Sequence, residues 1–215
     1  LIRIVRPYMY ENMMWYTMPL IDAVGGAVIE AAVQDAMKVE KDLAQKSKNI
    51  MNAYLVEVAH RRAQYDRVIA LGTQVLKTMP KGPLLLRSRV RALTADALWR
   101  QGNRARALKL YVQVMNAFPT VMRMLSLPLP VKIDVEGAMP DTLVGRLRDS
   151  PRFLIVDQSA FTLQLAGSEK IATFCLMGVK RYGCGAFDRS NPEVRLPETI
   201  DDFHTRAFAP GIEMT

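Results

Sequence analysis

The chain holds 215 residues, half of them apolar and 23% charged, with a formal net charge of +8. That is enough apolar material for one large domain or two small ones, and it excludes a disordered or fibrous polypeptide. The charge is uneven: residues 1–120 carry 18 Lys/Arg against 9 Asp/Glu, and residues 121–215 carry 11 against 12. This asymmetry points to separate parts with separate partners. A solvated basic helix face is the competing reading.

The first residue is Leu1 and not methionine, so either a processed amino terminus or a preceding segment outside this sequence is expected. The apolar run Met13–Val33 is long enough to cross a bilayer, but it contains Pro19, Asp22, Gly25-Gly26 and Glu30. Charges near the centre of a span are costly, so the run reads as a buried or interface-packing segment. Trp15, Tyr16 and the neighbouring methionines make it adhesive, as core packing requires; docking on another subunit or lying close to a membrane is the alternative.

From about Asp22 to Met79 the spacing is helical. Val24, Val28, Ala31, Ala32 and Asp35 recur at steps of three and four, and a helix over 22–48 is expected to cap the helical stack. The chain then repeats itself. AQYDRVIALGTQVLKTMP (63–80) aligns end to end with GNRARALKLYVQVMNAFP (102–119). Val68 falls on Ala107, Gly72 on Tyr111, Val75 on Val114 and Pro80 on Pro119. Such self-similarity marks tandem helical hairpins.

The segment DALWRQGNRARALKLYVQVMNAFP resembles the later part of a tetratricopeptide repeat. The resemblance places Gly102 in the turn between two helices and Ala107 where they touch. It gives Tyr111 the aromatic position and makes Pro119 the stop of the second helix. It covers about residues 49–121, as repeats at about 49–82 and 88–121. The sequence departs from the pattern in three ways. The closing prolines are 39 residues apart rather than 34, so Lys81–Leu85 reads as an insertion. Gly72 stands where a large residue is usual, and Thr94-Ala95 replaces Leu-Gly. If the repeat register holds, Arg61, Arg89, Trp99 and Arg100 line a groove for a partner. Arginines beside an aromatic suit acidic peptides, through bidentate pairing and stacking. Internal ion pairing with Glu57 and Asp96 is the competing expectation for those arginines.

Leu-Pro-Leu-Pro at 127–130 cannot continue a helix, so residues 125–130 are expected to link a helical domain (1–124) to a second one (131–215). Val131, Ile133 and Val135 alternate with polar residues as in a half-buried strand. PDTLVGRLRDS (140–150) reads as a short helix, and 153–157, 161–167 and 171–177 read as strands. A loop at 189–199 and a short helix through IDDFHTRAF complete the chain. The expected fold is α+β: tetratricopeptide-like hairpins, then a small β-rich domain. LVGRLRDSPRFLIVD is similar to the helix-then-strand element of envelope lipoprotein domains of the curli-secretion and penicillin-binding-protein-activator type. That resemblance implies a bacterial periplasmic or outer-membrane-associated location; the cytoplasm is the alternative.

If a two-residue turn falls at Val179-Lys180, Cys175 faces Cys184 across a hairpin, close enough for a disulfide and an oxidising compartment. Two reduced, buried cysteines are the other reading. Two distant histidines, His60 and His204, and two cysteines show no metal-ligand spacing, and no metal or cofactor is expected. No phosphate loop, nucleotide fingerprint or nucleophile elbow is present in the sequence. The expectation is therefore a non-enzymatic scaffold that binds other subunits of a cell-envelope assembly. A nucleic-acid-binding helical repeat is the alternative, on Arg87, Arg89, Arg91, Arg104, Arg106 and Lys109, although no RNA-module signature accompanies them.

Overall fold

The computed structural model describes residues 25–39, 45–79, 84–137, 139, 141–167, 171–188 and 208. Its layout is α+β, with the helices first and a five-stranded mixed sheet after them. The chain divides into two compact units, 1–110 and 111–215. Leu-Pro-Leu-Pro, expected as the linker, lies inside the second unit.

In the first unit, α1 (Gly26–Val39), α2 (Gln45–Arg61), α3 (Tyr65–Thr78) and α4 (Leu84–Arg100) succeed one another. The expected helix over 22–48 is thus α1 plus the start of α2. Residues 1–24, 40–44 and 80–83 lie outside the described residues, and with them the adhesive segment and Pro80. The described helix α4 begins at Leu84, so Leu84 and Leu85 belong to a helix. Among the described residues, no helix is long and apolar enough to cross a membrane.

Helix α2 packs on α1, α3 and α4, and α3 packs on α4. Val33, Met51 and Leu55 form one buried cluster, with Ile29, Met37 and Leu71 against it. From Ser88 to Leu98, α4 is buried at every position but Arg91. A helix enclosed on nearly all sides must satisfy its own polar residues inside the core.

The two aligned segments take the same local geometry. Helix α2 ends in a turn where Ala63 has φ 55°. The Ala63 N–H donates to the His60 carbonyl at 2.9 Å, and the Gln64 N–H to the Ala59 carbonyl at 2.9 Å. Helix α4 ends in the same pair of bonds, Gly102 to Trp99 at 3.0 Å and Asn103 to Leu98 at 2.9 Å, with Gly102 at φ 80°. Both are Schellman endings, in which a left-handed residue lets the last carbonyls be capped. Helix α5 (Arg104–Ala117) then starts, and the short α6 (Thr120–Met124) comes after Pro119. The matched positions Val68 and Ala107, Gly72 and Tyr111, Val75 and Val114 are all buried.

The close approach of α3 and α4 explains the two departures at Gly72 and Thr94 together. A Cβ on Gly72 would stand 2.1 Å from Thr94 Oγ1. That hydroxyl fills the space and donates to the Val90 carbonyl at 2.7 Å. The missing side chain on one helix is matched by the added one on the other.

In the second unit the sheet order is β2-β1-β3-β4-β5, built from β1 (Leu129–Gly137), β2 (Phe153–Ile155), β3 (Thr162–Gly167), β4 (Ile171–Met177) and β5 (Arg181–Asp188). Strand β1 runs parallel to both β2 and β3, while β3–β4 and β4–β5 are antiparallel. The parallel β1–β2 connection passes through α7 (Asp141–Arg148), whose buried Leu143 and Leu147 sit one turn apart. Asp141 in its first turn and Arg146 and Arg148 in its last complement the helix dipole.

Strand β1 starts two residues earlier than the alternation predicts. Pro130 is paired only with β2, because β3 joins β1 from Lys132 onward. The bonds to β2 come from Leu129 and Val131, so the missing N–H of Pro130 costs no ladder bond. The Pro130 carbonyl instead accepts from Ser159 Oγ at 2.7 Å. Alternate residues Leu163, Leu165, Ala172, Phe174 and Leu176 form the inner face. Of the expected helix through IDDFHTRAF, only Phe208 is described. It is fully buried, and its carbonyl accepts from Thr120 Oγ1 at 2.7 Å.

The β4–β5 hairpin pairs Cys175 with Cys184, and their sulfurs are bonded. The tip differs from a two-residue turn: Met177 pairs with Arg181, and the register shifts between Leu176 and Met177. The connection is residues 178–180, with Tyr182 as the extra residue.

Candidate interaction site

Glu57 and Arg61 on α2, and Asp96 and Arg100 on α4, each sit four residues apart, so each pair shares a helix face. The acidic member of each pair points into the helical unit and the arginine reaches its surface. Glu57 and Asp96 are 3% and 2% exposed.

Arg89 does not line an open groove. Its side chain is buried, and Nη2 donates to both Glu57 carboxylate oxygens, at 3.0 and 2.9 Å. The physical reason is the enclosure of α4: a charge there needs an opposite charge inside the core. The Arg89 Nε and the Ser88 Oγ are buried without a partner.

Asp96 carries a second network. Its Oδ2 accepts from Arg100 Nε at 2.6 Å and lies 2.7 Å from His60 Nε2. Burial works to raise the Asp96 pKa, but the hydrogen bonds of His60 and Arg100, and then their charges, outweigh it. The carboxyl is held below its ordinary range. The Arg100 guanidinium lies 5.5 Å from the Tyr65 ring centroid, and the His60 ring meets Tyr65 edge-on at 6.0 Å. His60 and Tyr65 are the members that spacing alone missed. The shared offset of 39 residues places Glu57 on Asp96 and Arg61 on Arg100, but it sets His60 on Trp99 and Tyr65 on Arg104, so it carries no signal for either.

The other expected groove residues gather at the ends of their helices. Arg61 is exposed at the end of α2, beside the Ala63 turn. Trp99 and Arg100 end α4 beside the Gly102 turn, and the Arg104 guanidinium stacks 5.4 Å from the Trp99 ring. Ala63, Gln64, Tyr65, Asp66, Arg67 and Gln101 line an open depression of about 590 Å³. Gln101 Nε2 donates across it to Asp66 Oδ1 at 2.5 Å. Glu30 holds a neighbouring ion pair with Arg62 at 2.7 Å.

Of the packing residues, Gly102 makes the turn, Ala107 and Tyr111 are fully buried, and Pro119 is buried at the start of α6. Arg91 is partly buried; that burial, and then the charge of Arg87, lower its pKa. No family model matches the chain, and no curated protein or solved structure is significantly similar to it.

Proposed function

We propose that this chain is a non-enzymatic scaffold that holds other protein subunits through tetratricopeptide-like hairpins. The observation that carries the reading is the repeated turn: two Schellman endings 39 residues apart, each leading into a helix with buried residues in matched positions. Tandem units of this kind stack side by side and present helix ends and faces to partners. The docking residues are Arg61, Trp99 and Arg100 at the turn-bearing end, joined by Arg104. Arg89 serves the core instead.

The Cys175–Cys184 bond supports an oxidising compartment, and a place in the bacterial cell envelope fits it. Alkylation and mass spectrometry on chain isolated without reductant test that placement; two free thiols would remove its support.

The function is tested by purifying the tagged chain from its native source and identifying the proteins that accompany it. A defined set of protein subunits is expected. Arg61→Glu combined with Trp99→Ala should release them while circular dichroism stays unchanged. A chain recovered alone and monomeric would overturn the reading. Arg89→Glu is unsuitable as a probe, since breaking a buried ion pair costs about 3–5 kcal/mol and unfolding would mimic lost binding.

A further inference from the structure

The Cys175–Cys184 bond ties together the two strands of one hairpin, β4 and β5, across a sequence separation of 9. Phe174 and Leu176 lie on the inner face of the sheet, so Cys175 between them stands on the outer face, and Cys184 opposite it does the same. That face is open here. Both cysteines are only partly buried, and their neighbours on the same face, Gln164 and Ala186, are exposed. A thiol in solution can approach the sulfurs from this side.

Strand β5 brings little of its own to the pairing. It is the last strand in the sheet order, so among the described residues it has a neighbouring strand on one side only. Gly183 and Gly185 flank Cys184 and put no side chain on the inner face. The Phe174 ring takes that space, 2.6 Å from where a Gly185 Cβ would stand. Glycine inside a strand weakens it. Nearer the tip, the register shift between Leu176 and Met177 interrupts the ladder. Tyr182 anchors the tip end, its hydroxyl donating to Asn116 Oδ1 at 2.7 Å. Past Tyr182, the disulfide is the one side-chain tie of β5 among the described residues.

We infer that this disulfide is a redox latch on the sheet edge: a thiol reductant opens it, and Cys184–Asp188 then lifts from β4. The two events favour each other. A strand that leaves on reduction carries one thiol away from the other, so the fold protects the bond weakly, and exposed bonds of this kind are the labile ones. The exchange balances. A reductant thiolate attacks one cysteine sulfur, forms a mixed disulfide and expels the other cysteine as a thiolate. A second reductant thiolate displaces the remaining cysteine, and the reductant leaves as its own disulfide. Two electrons and two protons have then passed from two thiols to the cysteines. The chain stays anchored on either side, at Tyr182 and at buried Phe208, whose carbonyl accepts from Thr120 Oγ1. The strand can therefore return on reoxidation. Opening uncovers β4 from Ile171 to Cys175, an edge able to accept an added strand.

The test equilibrates the full folded chain, without denaturant, in glutathione buffers of graded reduced-to-oxidised ratio. Alkylation and mass spectrometry read the bond, and amide exchange is followed on the same samples. The bond should open within the glutathione range. Peptides covering 184–188 should then exchange at least about tenfold faster, the largest rise in the chain, and slow exchange should return on reoxidation. Peptides covering β1 should not change. C175S/C184S should match the reduced chain at 184–188 and be indifferent to glutathione; C175A/C184A gives the same reading without added hydroxyls. A bond that stays oxidised across the whole range is purely structural and overturns the inference. So does a reduced chain that exchanges like the oxidised one at 184–188. Faster exchange throughout 111–215 overturns it too, since the unit would then unfold instead of opening at its edge.

Discussion

Single residues set the ends of the helices here. Gly102 and Ala63 occupy the same left-handed position at φ 80° and 55°, but only one of them lacks a Cβ. A left-handed non-glycine residue is strained by about 1–2 kcal/mol, partly offset by the greater chain entropy that glycine loses on folding. Ala63 is exposed and its turn bonds are backbone bonds, so nothing else is lost on substitution. Ala63→Gly should therefore stabilise the chain by about 0.5–1 kcal/mol, read as a rise in the urea midpoint. A fall would show that the strain assigned to this turn is absent. Asp96 makes a pH prediction. Its pKa in the folded chain is lowered by His60 and Arg100, so it stabilises the fold at neutral pH. That contribution is fully present above the unfolded value of about 3.9 and fades as pH falls through the lower folded value. The stability gap between wild type and Asp96→Asn should be wide at neutral pH and close in acid. A gap that does not change with pH would mean that Asp96 is not held as an anion.

At the scale of elements, the legible features are those that spacing controls. The alignment of 63–80 with 102–119 carried the turns and the buried positions, because a repeated backbone needs the same residue types at the same steps. The departures at Gly72 and Thr94 were illegible singly, because their meaning lies in a contact between α3 and α4. Arg89 failed as a groove residue for a related reason. Its register on α4 was readable, but the enclosure of α4 on nearly all sides was not, and enclosure turns an arginine from a partner's ligand into half of a core ion pair. The Gly72–Thr94 contact can be tested by compensation. Gly72→Ala puts a methyl 2.1 Å from Thr94 Oγ1 and should cost about 1–3 kcal/mol, the usual range for overpacking. Thr94→Ala alone removes one internal hydrogen bond but improves helix propensity, and should be nearly neutral. The double variant should recover most of the loss, because the next Thr94 atom is 3.3 Å away. Simple additivity in thermal or urea unfolding would show that the helices do not meet as described.

For the whole molecule, short β-rich runs bounded by turn signals made the strands at 161–167 and 171–177 readable, and the pairing of Cys175 with Cys184 came from where a hairpin must turn. The mixed topology did not: nothing local tells β1 to run parallel to both β2 and β3. Leu-Pro-Leu-Pro looks like a linker because it breaks a helix, yet Leu127, Leu129 and Val131 are buried, and the last two pair with β2 in the sheet. The two units have separate means of support, a helical core in residues 1–110 and a disulfide-braced sheet in 111–215. The bond closes a short loop, with a sequence separation of 9. By the chain-entropy estimate it contributes about 2–3 kcal/mol, acting mainly on the unfolded state. Its loss should be felt first where the strands depend on it. Cys175→Ser combined with Cys184→Ser should raise amide exchange in peptides covering 162–188, on β3, β4 and β5. Peptides covering α2 and α3 should exchange as in wild type, because their protection comes from the Ile50, Val56, Val68 and Val75 core. Faster exchange throughout both sets would refute the local role of the bond and show one cooperative unit in place of two supports.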